Sequence, residues 1–90
     1  MIHTHLHPGI ILKETVFESL GLSITQVAKQ IDWPRVLLSH IANGKVRLRP
    51  PLAYKLEQAG FGPARFWINL QANYDMWLAQ HQPPDTVDSD

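Results

Sequence analysis

The sequence predicts an all-α fold, a single small domain of five helices that contains a helix-turn-helix. Three observations predict it. Apolar residues recur at spacings of three and four along the chain, proline or glycine separates the apolar stretches, and no alternation of apolar and polar residues indicates a strand. A length of 90 residues suits one domain.

Proline and glycine mark the two ends of the first predicted helix. It begins at Pro8, because proline is preorganised for a first helical turn. It ends at Gly21, where glycine readily adopts the left-handed conformation that closes a helix. Between them, Leu12, Val16 and Leu20 recur at every fourth position. That spacing predicts an apolar stripe directed at the core.

Two short helices follow, and the corner between them predicts the helix-turn-helix. Ser23 and Gln26 form the S-x-x-Q pattern of a capping box, which begins the second helix. Pro34 begins the third helix after a corner at Asp32, and Asn43-Gly44 ends it. In a helix-turn-helix the second of the two helices, here the third predicted helix of the chain, enters the major groove of DNA. The predicted inward positions of the two helices are Val27, Ala28, Ile31, Leu37, Leu38 and Ile41.

The last two predicted helices are separated in the same way. Pro50-Pro51 begins the fourth helix, and a stretch containing Gly60, Gly62 and Pro63 precedes a fifth helix over residues 64 to about 80. Apolar side chains recur at helical spacing in both. They are Leu52, Ala53, Leu56 and Ala59 in the fourth helix, and Trp67, Leu70, Tyr74 and Trp77 in the fifth.

The chain therefore divides into a domain over residues 8–82 and two terminal segments. We expect residues 1–7 to be a flexible arm and residues 83–90 to be an acidic, disordered tail. The arm carries His3, His5 and His7 in an H-x-H-x-H pattern. Alternating histidines share one face only in an extended segment, and no carboxylate or cysteine accompanies them. We therefore expect no metal site, and any other role of the segment stays open.

Positive charge is concentrated around the third predicted helix, although the whole chain has a formal net charge of zero. From Lys29 to Lys55 there are six basic residues and one acid, Asp32. The zero total argues against indiscriminate binding of polyanions, whereas the local excess permits one basic face.

The predicted DNA contacts follow from each residue's position relative to the third helix. Residues at its start and one turn later would read base edges, and flanking residues would hold phosphate. An arginine at the start could pair with guanine O6 and N7. The base-reading set is Arg35, Val36, Ser39 and His40, and the phosphate-binding set is Ser23, Asn43, Lys45, Arg47 and Arg49.

Several of these residues also have a purely structural interpretation. Arg35 and His40 would fit solvated surface positions, and Asn43 fits a helix stop. Of Val36 and Leu37, we expect one to meet thymine methyl groups and the other to pack inward, and the sequence does not say which.

Composition argues against other classes of protein. The chain has no cysteine, so it has neither a disulfide framework nor a thiolate zinc site. Its apolar runs, such as Ile10 to Leu12, are far shorter than the ~20 residues of a membrane span. No nucleophile-base set or phosphate-cradling glycine loop is present. We therefore expect a soluble cytoplasmic protein that has no cofactor and is not an enzyme.

Six segments occur in an order that is more specific than any one of them. They are His7-Pro8-Gly9, Ile11-Leu12-Lys13-Glu14, Gly21-Leu22-Ser23, Val27-Ala28, LSHIANGK from Leu38 to Lys45, and FWINLQANYDMW from Phe66 to Trp77. In this order the segments resemble the HigA/VapI group of antitoxins, within the lambda-repressor-like, XRE-type class of helix-turn-helix proteins.

The resemblance implies a lambda-repressor-like domain of five helices and a homodimer on palindromic operator DNA that represses its own promoter. It also implies a partner, a HigB-type toxin of the RelE-like mRNA endonucleases. The group usually dimerises through its last helix, so the candidate interface residues are Tyr74, Trp77 and Leu78.

Three positions depart from the pattern of this class. Asp32 stands where the turn commonly has glycine, and aspartate tolerates the left-handed conformation. Pro34 stands where serine usually caps the recognition helix, so Asp32 is expected to cap in its place. Arg49 stands where serine or threonine usually caps the fourth helix, which adds charge and removes a cap worth ~1 kcal/mol.

Two other functions stay open at this point. A solitary XRE-type regulator would keep the fold and the DNA contacts without a toxin. A helical protein-interaction module would use the aromatic last helix and leave the basic segment incidental. The operator sequence, the identity of the toxin and the surface that contacts it are not given by the sequence.

Overall fold

The structure, a computed structural model, describes residues 6–81. It contains the helices α1 (Pro8–Leu12), α2 (Ile24–Ile31), α3 (Arg35–Ala42), α4 (Pro50–Gln58) and α5 (Ala64–His81), and a π-helix over Lys13–Glu18 continues α1. No strand occurs within residues 6–81. The predicted all-α class is thereby confirmed. His3, His5 and the predicted tail over residues 83–90 lie outside the described residues.

The first helix changes from an α-helix to a π-helix at Lys13, which the sequence did not predict. The Thr15 hydroxyl donates a 2.7 Å hydrogen bond to the Ile11 carbonyl, and such a bond competes with the α-helical backbone pattern. Because a π turn holds more residues than an α turn, later positions rotate around the helix axis. Leu20, predicted to lie in the apolar stripe, is consequently 58% exposed. The predicted stop at Gly21 is correct, with a φ of 68°.

Helices α1 and α3 meet backbone to backbone at Gly9. A Cβ atom added to Gly9 would overlap the carbonyl oxygen of Ile41, near the C-terminal end of α3. Only a residue without a side chain permits this approach. The first helix thereby fixes the C-terminal end of α3, where the chain turns toward α4.

One apolar core joins all five helices. Its members are Ile11, Leu12, Val16, Val27, Ala28, Ile31, Leu38, Ile41, Leu48, Leu52, Ala53, Leu56, Trp67 and Leu70. Burial of a large apolar side chain contributes roughly 1.5–3 kcal/mol. The predicted inward positions of α2 are correct. Leu48, which lies between α3 and α4, is 2% exposed and therefore anchors that connection to the core.

Helix α3 is buried along one face only. Leu38, Ile41 and Ala42 are buried, at the i, i+3, i+4 spacing of a single stripe. Leu37 precedes Leu38 by one residue, which turns its side chain about 100° away around the helix. It is 47% exposed, and Val36 is 59% exposed. The expectation that Leu37 is buried, and that one of these two residues packs inward, is therefore wrong.

Leu6 and His7 belong to the folded domain, so the expected flexible arm over residues 1–7 is corrected at these two positions. His7 is buried, and its Nδ1 accepts a 2.8 Å hydrogen bond from the Gly9 amide at the start of α1. Its ring meets the Tyr74 ring edge to face at 5.1 Å. Leu6 packs against the core. The imidazole thus caps α1 and connects it to α5.

We expect Gly9→Ala to lower the free energy of unfolding by about 3 kcal/mol, because the added methyl group would force α1 away from α3. Urea unfolding measures the change. Gly60→Ala is the matched control, since its φ is 86° and nothing lies within 4 Å of the added carbon. Backbone strain alone should cost about 1 kcal/mol there. Equal losses in the two variants would contradict the close approach of α1 and α3.

Candidate nucleic-acid interface

The corner between α2 and α3 has the geometry of a helix-turn-helix. Asp32 adopts the left-handed conformation, with φ 57° and ψ 55°. The Asp32 amide donates to the Lys29 carbonyl at 3.3 Å, and the Trp33 amide donates to the Ala28 carbonyl at 2.9 Å. These bonds close α2 and turn the chain at once into α3. The prediction that aspartate can replace glycine in this turn is confirmed.

The start of α3 has no side-chain cap. Pro34 occupies the N-cap position, and no side chain accepts a hydrogen bond from the first turn. The expectation that Asp32 caps α3 is therefore wrong. The Asp32 backbone closes α2 two residues earlier, so its carboxylate does not reach the amides of α3.

The predicted base-reading residues lie on the outer side of α3. Arg35 is the first residue of the helix and is exposed, as are Val36 and His40. Ser39 is partly exposed and lies one turn beyond Arg35. Because the opposite face of α3 is sealed in the core, these four side chains can all reach a surface placed against the helix. Whether they read bases remains a prediction.

A small apolar cleft joins α3 to the basic loop, the segment over residues 45–49. The cleft has a volume of about 210 Å³, and its lining includes Trp33, Leu37 and Val46. Arg47 and Arg49 also line it. The outer face of α3 and the basic loop are therefore neighbouring parts of one surface, which carries both apolar and cationic side chains.

The C-terminal end of α3 carries a polar cluster that includes a residue absent from the predicted set. The Asn43 amide Nδ2 donates to Ser39 Oγ at 3.4 Å. The Lys13 ammonium donates to Asn43 Oδ1 at 3.3 Å. Lys13 lies four residues after Gly9, so it occupies the face of the first helix that touches α3. That spacing is the sequence signal that could have identified Lys13.

Arg47 differs from the free phosphate-binding residue that the sequence suggested. Its guanidinium donates to both carboxylate oxygens of Asp75 in α5, at 3.2 and 2.8 Å. The pair is half exposed, with 49% of the Arg47 side chain accessible. The positive charge of Arg47 is thus compensated within the chain. Lys45 and Arg49 are exposed and form no ion pair within residues 6–81, so they remain better placed for phosphate.

A buried glutamine in α5 also holds the basic loop. Gln71 Oε1 accepts a 2.7 Å hydrogen bond from the Leu48 amide, and Gln71 Nε2 donates to Asp75 Oδ1 at 2.9 Å. Both ends of the buried amide are therefore paired, as a buried polar group requires. The sequence did not indicate Gln71 and Asp75, because nothing local links them to a loop more than twenty residues earlier.

The ionisation of His7 and Asp75 reflects this environment. Burial lowers the pKa of His7, the charge of Arg47 acts in the same direction, and a backbone hydrogen bond with Val46 and the charge of Asp75 oppose them. Partial burial raises the pKa of Asp75, but hydrogen bonds from Arg47 and Gln71 outweigh that effect and lower the pKa overall. The network therefore favours a neutral imidazole and a charged carboxylate.

The predicted capping box at the start of α2 is confirmed. Ser23 Oγ accepts from the Gln26 amide at 3.1 Å, and Gln26 Oε1 accepts from the Ser23 amide at 2.8 Å. This reciprocal pair stabilises the helix by about 1 kcal/mol. A contact between Ser23 and phosphate stays a prediction. Arg49 occupies the N-cap position of α4 and forms no capping hydrogen bond. Its side chain has no acceptor for the amides of the first turn.

The candidate dimer residues lie on the last turns of α5 and are partly accessible. The Trp77 ring stacks on the Tyr74 ring at 6.3 Å and on the His81 ring at 4.5 Å. Leu78 is 37% exposed. Met76 is 61% exposed, but it lies two residues earlier and therefore on a different side of the helix. The C-terminal part of α5 thus presents aromatic and apolar surface, whereas Trp67 near its start is fully in the core.

The part of the chain that contains the helix-turn-helix matches a known family. A family model described as helix-turn-helix matches residues 15–64, which include α2, α3 and α4. The chain is 46% identical to virulence-associated protein A of Dichelobacter nodosus over 69 residues, which cover 76% of this chain and 68% of the relative. It is 33% identical to antitoxin HigA-1 of Vibrio cholerae over 69 residues, 77% of this chain and 65% of the relative.

The fold is also similar to that of a solved structure. The antitoxin HigA of Pseudomonas aeruginosa, solved with the higBA promoter, superposes with a TM-score of 0.83. The match covers 96% of this chain and 94% of that chain, at 21% sequence identity. Identity at that level shows a shared fold.

Two further findings concern the described part of the chain. No helix within residues 6–81 is long and apolar enough to cross a membrane. The same residues contain no group of three or more histidine, cysteine or acidic side chains that could hold a metal ion.

We expect the fold to lose stability as the pH falls below about 6.5. The pKa of His7 is lower in the folded chain than in the unfolded chain. The unfolded chain therefore binds the extra proton first, and stability present above the unfolded-state pKa is lost as the pH falls through the folded-state pKa. Thermal melts between about pH 7.5 and about pH 5 measure this loss.

His7→Asn is the control variant. It keeps a capping acceptor without titrating, so its melting temperature should vary less with pH. The same variation in both proteins would show that His7 is not the responsible group.

Proposed function

Because this chain belongs to the XRE-type helix-turn-helix family, we propose that it is a DNA-binding antitoxin that represses its own operon. The observation that carries the proposal is the outer face of α3, where Arg35, Val36, Ser39 and His40 stand clear of the core. A relative named antitoxin HigA-1 and a fold neighbour solved with its promoter support the same function.

In the proposed complex α3 lies in the major groove. Arg35 is at the N-terminal end of the helix, where its guanidinium would form a bidentate pair with guanine O6 and N7. Val36 and Leu37, both exposed, would supply the apolar contacts that thymine methyl groups favour. Ser39 and His40 would extend the contact by one turn.

Phosphate binding would come from the ends of α3 and from its flanks. Asn43, Lys45 and Arg49 are exposed beside its C-terminal end, and Ser23 lies at the start of α2. Arg47 would orient the basic loop through Asp75, and that ion pair compensates its charge. An exposed pair of this kind is worth about 0–1 kcal/mol, so a phosphate can compete for it.

We further propose that the protein binds DNA as a homodimer paired through the end of α5. Tyr74, Trp77 and Leu78 share one face of the helix and offer apolar surface there. Two copies related by a two-fold axis would present their α3 helices roughly 34 Å apart, one turn of DNA. The operator would then be palindromic.

The toxin partner rests on the named relative rather than on a feature of the surface. We propose a HigB-type toxin, a RelE-like mRNA endonuclease, that this chain neutralises in the cytoplasm. If the neighbouring gene encodes no toxin, the same DNA contacts describe a solitary regulator.

Arg35→Ala should weaken binding to the DNA upstream of the protein's own gene by roughly 1–3 kcal/mol and relax the preference for guanine at one position of each half-site. Titrations of operator and base-substituted duplexes at fixed salt measure both effects. Arg65→Ala is the control, because Arg65 is an exposed arginine in the first turn of α5. A parent-like affinity and selectivity in Arg35→Ala would exclude Arg35 as a base-reading residue.

Co-expression tests the proposed neutralisation. The product of the adjacent reading frame should arrest growth alone, and this chain should restore growth and co-purify with that product. An unrelated protein of similar size is the control. Failure to form any complex, with DNA binding intact, would leave the solitary regulator as the correct function.

A further inference from the structure

The first helix reaches the DNA-facing end of α3 through Lys13. Gly9 brings the two backbones together at Ile41, and Lys13 lies one helical turn further along the same face. The Lys13 ammonium donates to Asn43 Oδ1 at 3.3 Å. This bond orients the amide of Asn43 so that its Nδ2 donates to Ser39 Oγ. A residue outside the helix-turn-helix thus joins two residues of the proposed interface.

The charge of Lys13 is not neutralised nearby. An ammonium group has three N–H donors, and the neutral Asn43 amide accepts one of them. Within residues 6–81 no carboxylate lies within 4 Å of Lys13 Nζ, in contrast to Arg47, whose charge is compensated by Asp75. Lys13 is partly buried while its hydrogen bond to Asn43 is exposed. Packing of its stem would restrict its motion and leave the charged head accessible.

The location of this charge matters for a polyanion. The C-terminal end of a helix carries roughly half a negative elementary charge from its carbonyl groups, which repels phosphate. The end of α3 is such a site, and Asn43 lies at it. A fixed lysine beside Asn43 would offset that repulsion and still have two donors for a phosphate oxygen.

We propose that Lys13 is a ligand of the DNA backbone, supplied by the first helix to the phosphate that faces the C-terminal end of α3. The proposal rests on the DNA binding proposed above. The contact would position the protein on the duplex without reading sequence, because a phosphate is the same at every base pair.

The test compares Lys13→Gln, Lys13→Arg and Lys55→Gln with the parent protein. The probes are a duplex of the DNA upstream of the gene and a scrambled duplex, each titrated at several salt concentrations. Lys13→Gln should weaken binding to both probes by a similar factor, about tenfold for the operator, and reduce the slope of log K against log salt by about 1 per protomer. Lys13→Arg should retain affinity and slope. Lys55→Gln, which removes a lysine from α4 beside Gln58 and Ala59, should leave both unchanged.

Each outcome decides between the proposal and a purely structural role. Parent-like binding by Lys13→Gln overturns the proposal, as does a loss of affinity with an unchanged salt slope, which would mean that Lys13 only holds Asn43. Failure of Lys13→Arg to retain the slope also overturns it. If Lys13→Gln has a lower melting temperature than the parent protein, Lys13→Glu is tested in its place. The proposal then requires Lys13→Glu to bind DNA more weakly than Lys13→Arg. Absence of DNA binding by the parent protein would instead refute the proposed function itself.

Discussion

The burial of α3 along a single face is the constraint on which the rest of this structure depends. Leu38, Ile41 and Ala42 are sealed in the core, so the other sides of the helix have to face outward. The backbone contact at Gly9 fixes one end of α3, and the left-handed Asp32 fixes the turn before the other. A helix held in this way exposes its outer face at the surface of the fold, where another molecule can contact it.

The basic loop is shaped by α5, although it follows α3 in the chain. Gln71 holds the Leu48 amide inside the fold, and Asp75 pairs with Arg47 at the surface. The buried hydrogen bond is the more consequential of the two, since its loss would leave a buried donor unpaired at a cost of about 1–3 kcal/mol. The exposed ion pair is worth less. The proposed dimer helix and the proposed phosphate contacts are therefore parts of one connected structure.

Local chemistry made much of the fold predictable, because proline, glycine and capping residues determine where short helices begin and end. The capping box at Ser23 and the turn at Asp32 were both readable from neighbouring residues. The π-helix was not, since no pattern of neighbouring residues indicates where a helix changes its hydrogen-bond spacing, although the Thr15 hydroxyl does hydrogen-bond to the Ile11 carbonyl there. Leu37 was misassigned because apolar character alone does not distinguish two adjacent positions on a helix that buries only one stripe.

The position of the candidate site could be predicted from the sequence, but the state of its charged residues could not. The sequence identified the outer face of α3 and the basic loop after it. It could not show that Arg47 meets Asp75 across the fold, that His7 is a buried cap, or that Lys13 reaches Asn43. These contacts connect elements distant in sequence, and a count of charges along the chain cannot tell a compensated cation from a free one.

The central claim is that α3 occupies the major groove, and dimethyl sulfate footprinting of the upstream DNA tests it most directly. The reagent methylates guanine N7, which lies in that groove. If α3 lies in the major groove, the protein should protect guanines in two clusters about 10–10.5 base pairs apart. Binding that leaves every guanine N7 reactive, or that alters only minor-groove adenine reactivity, would contradict it.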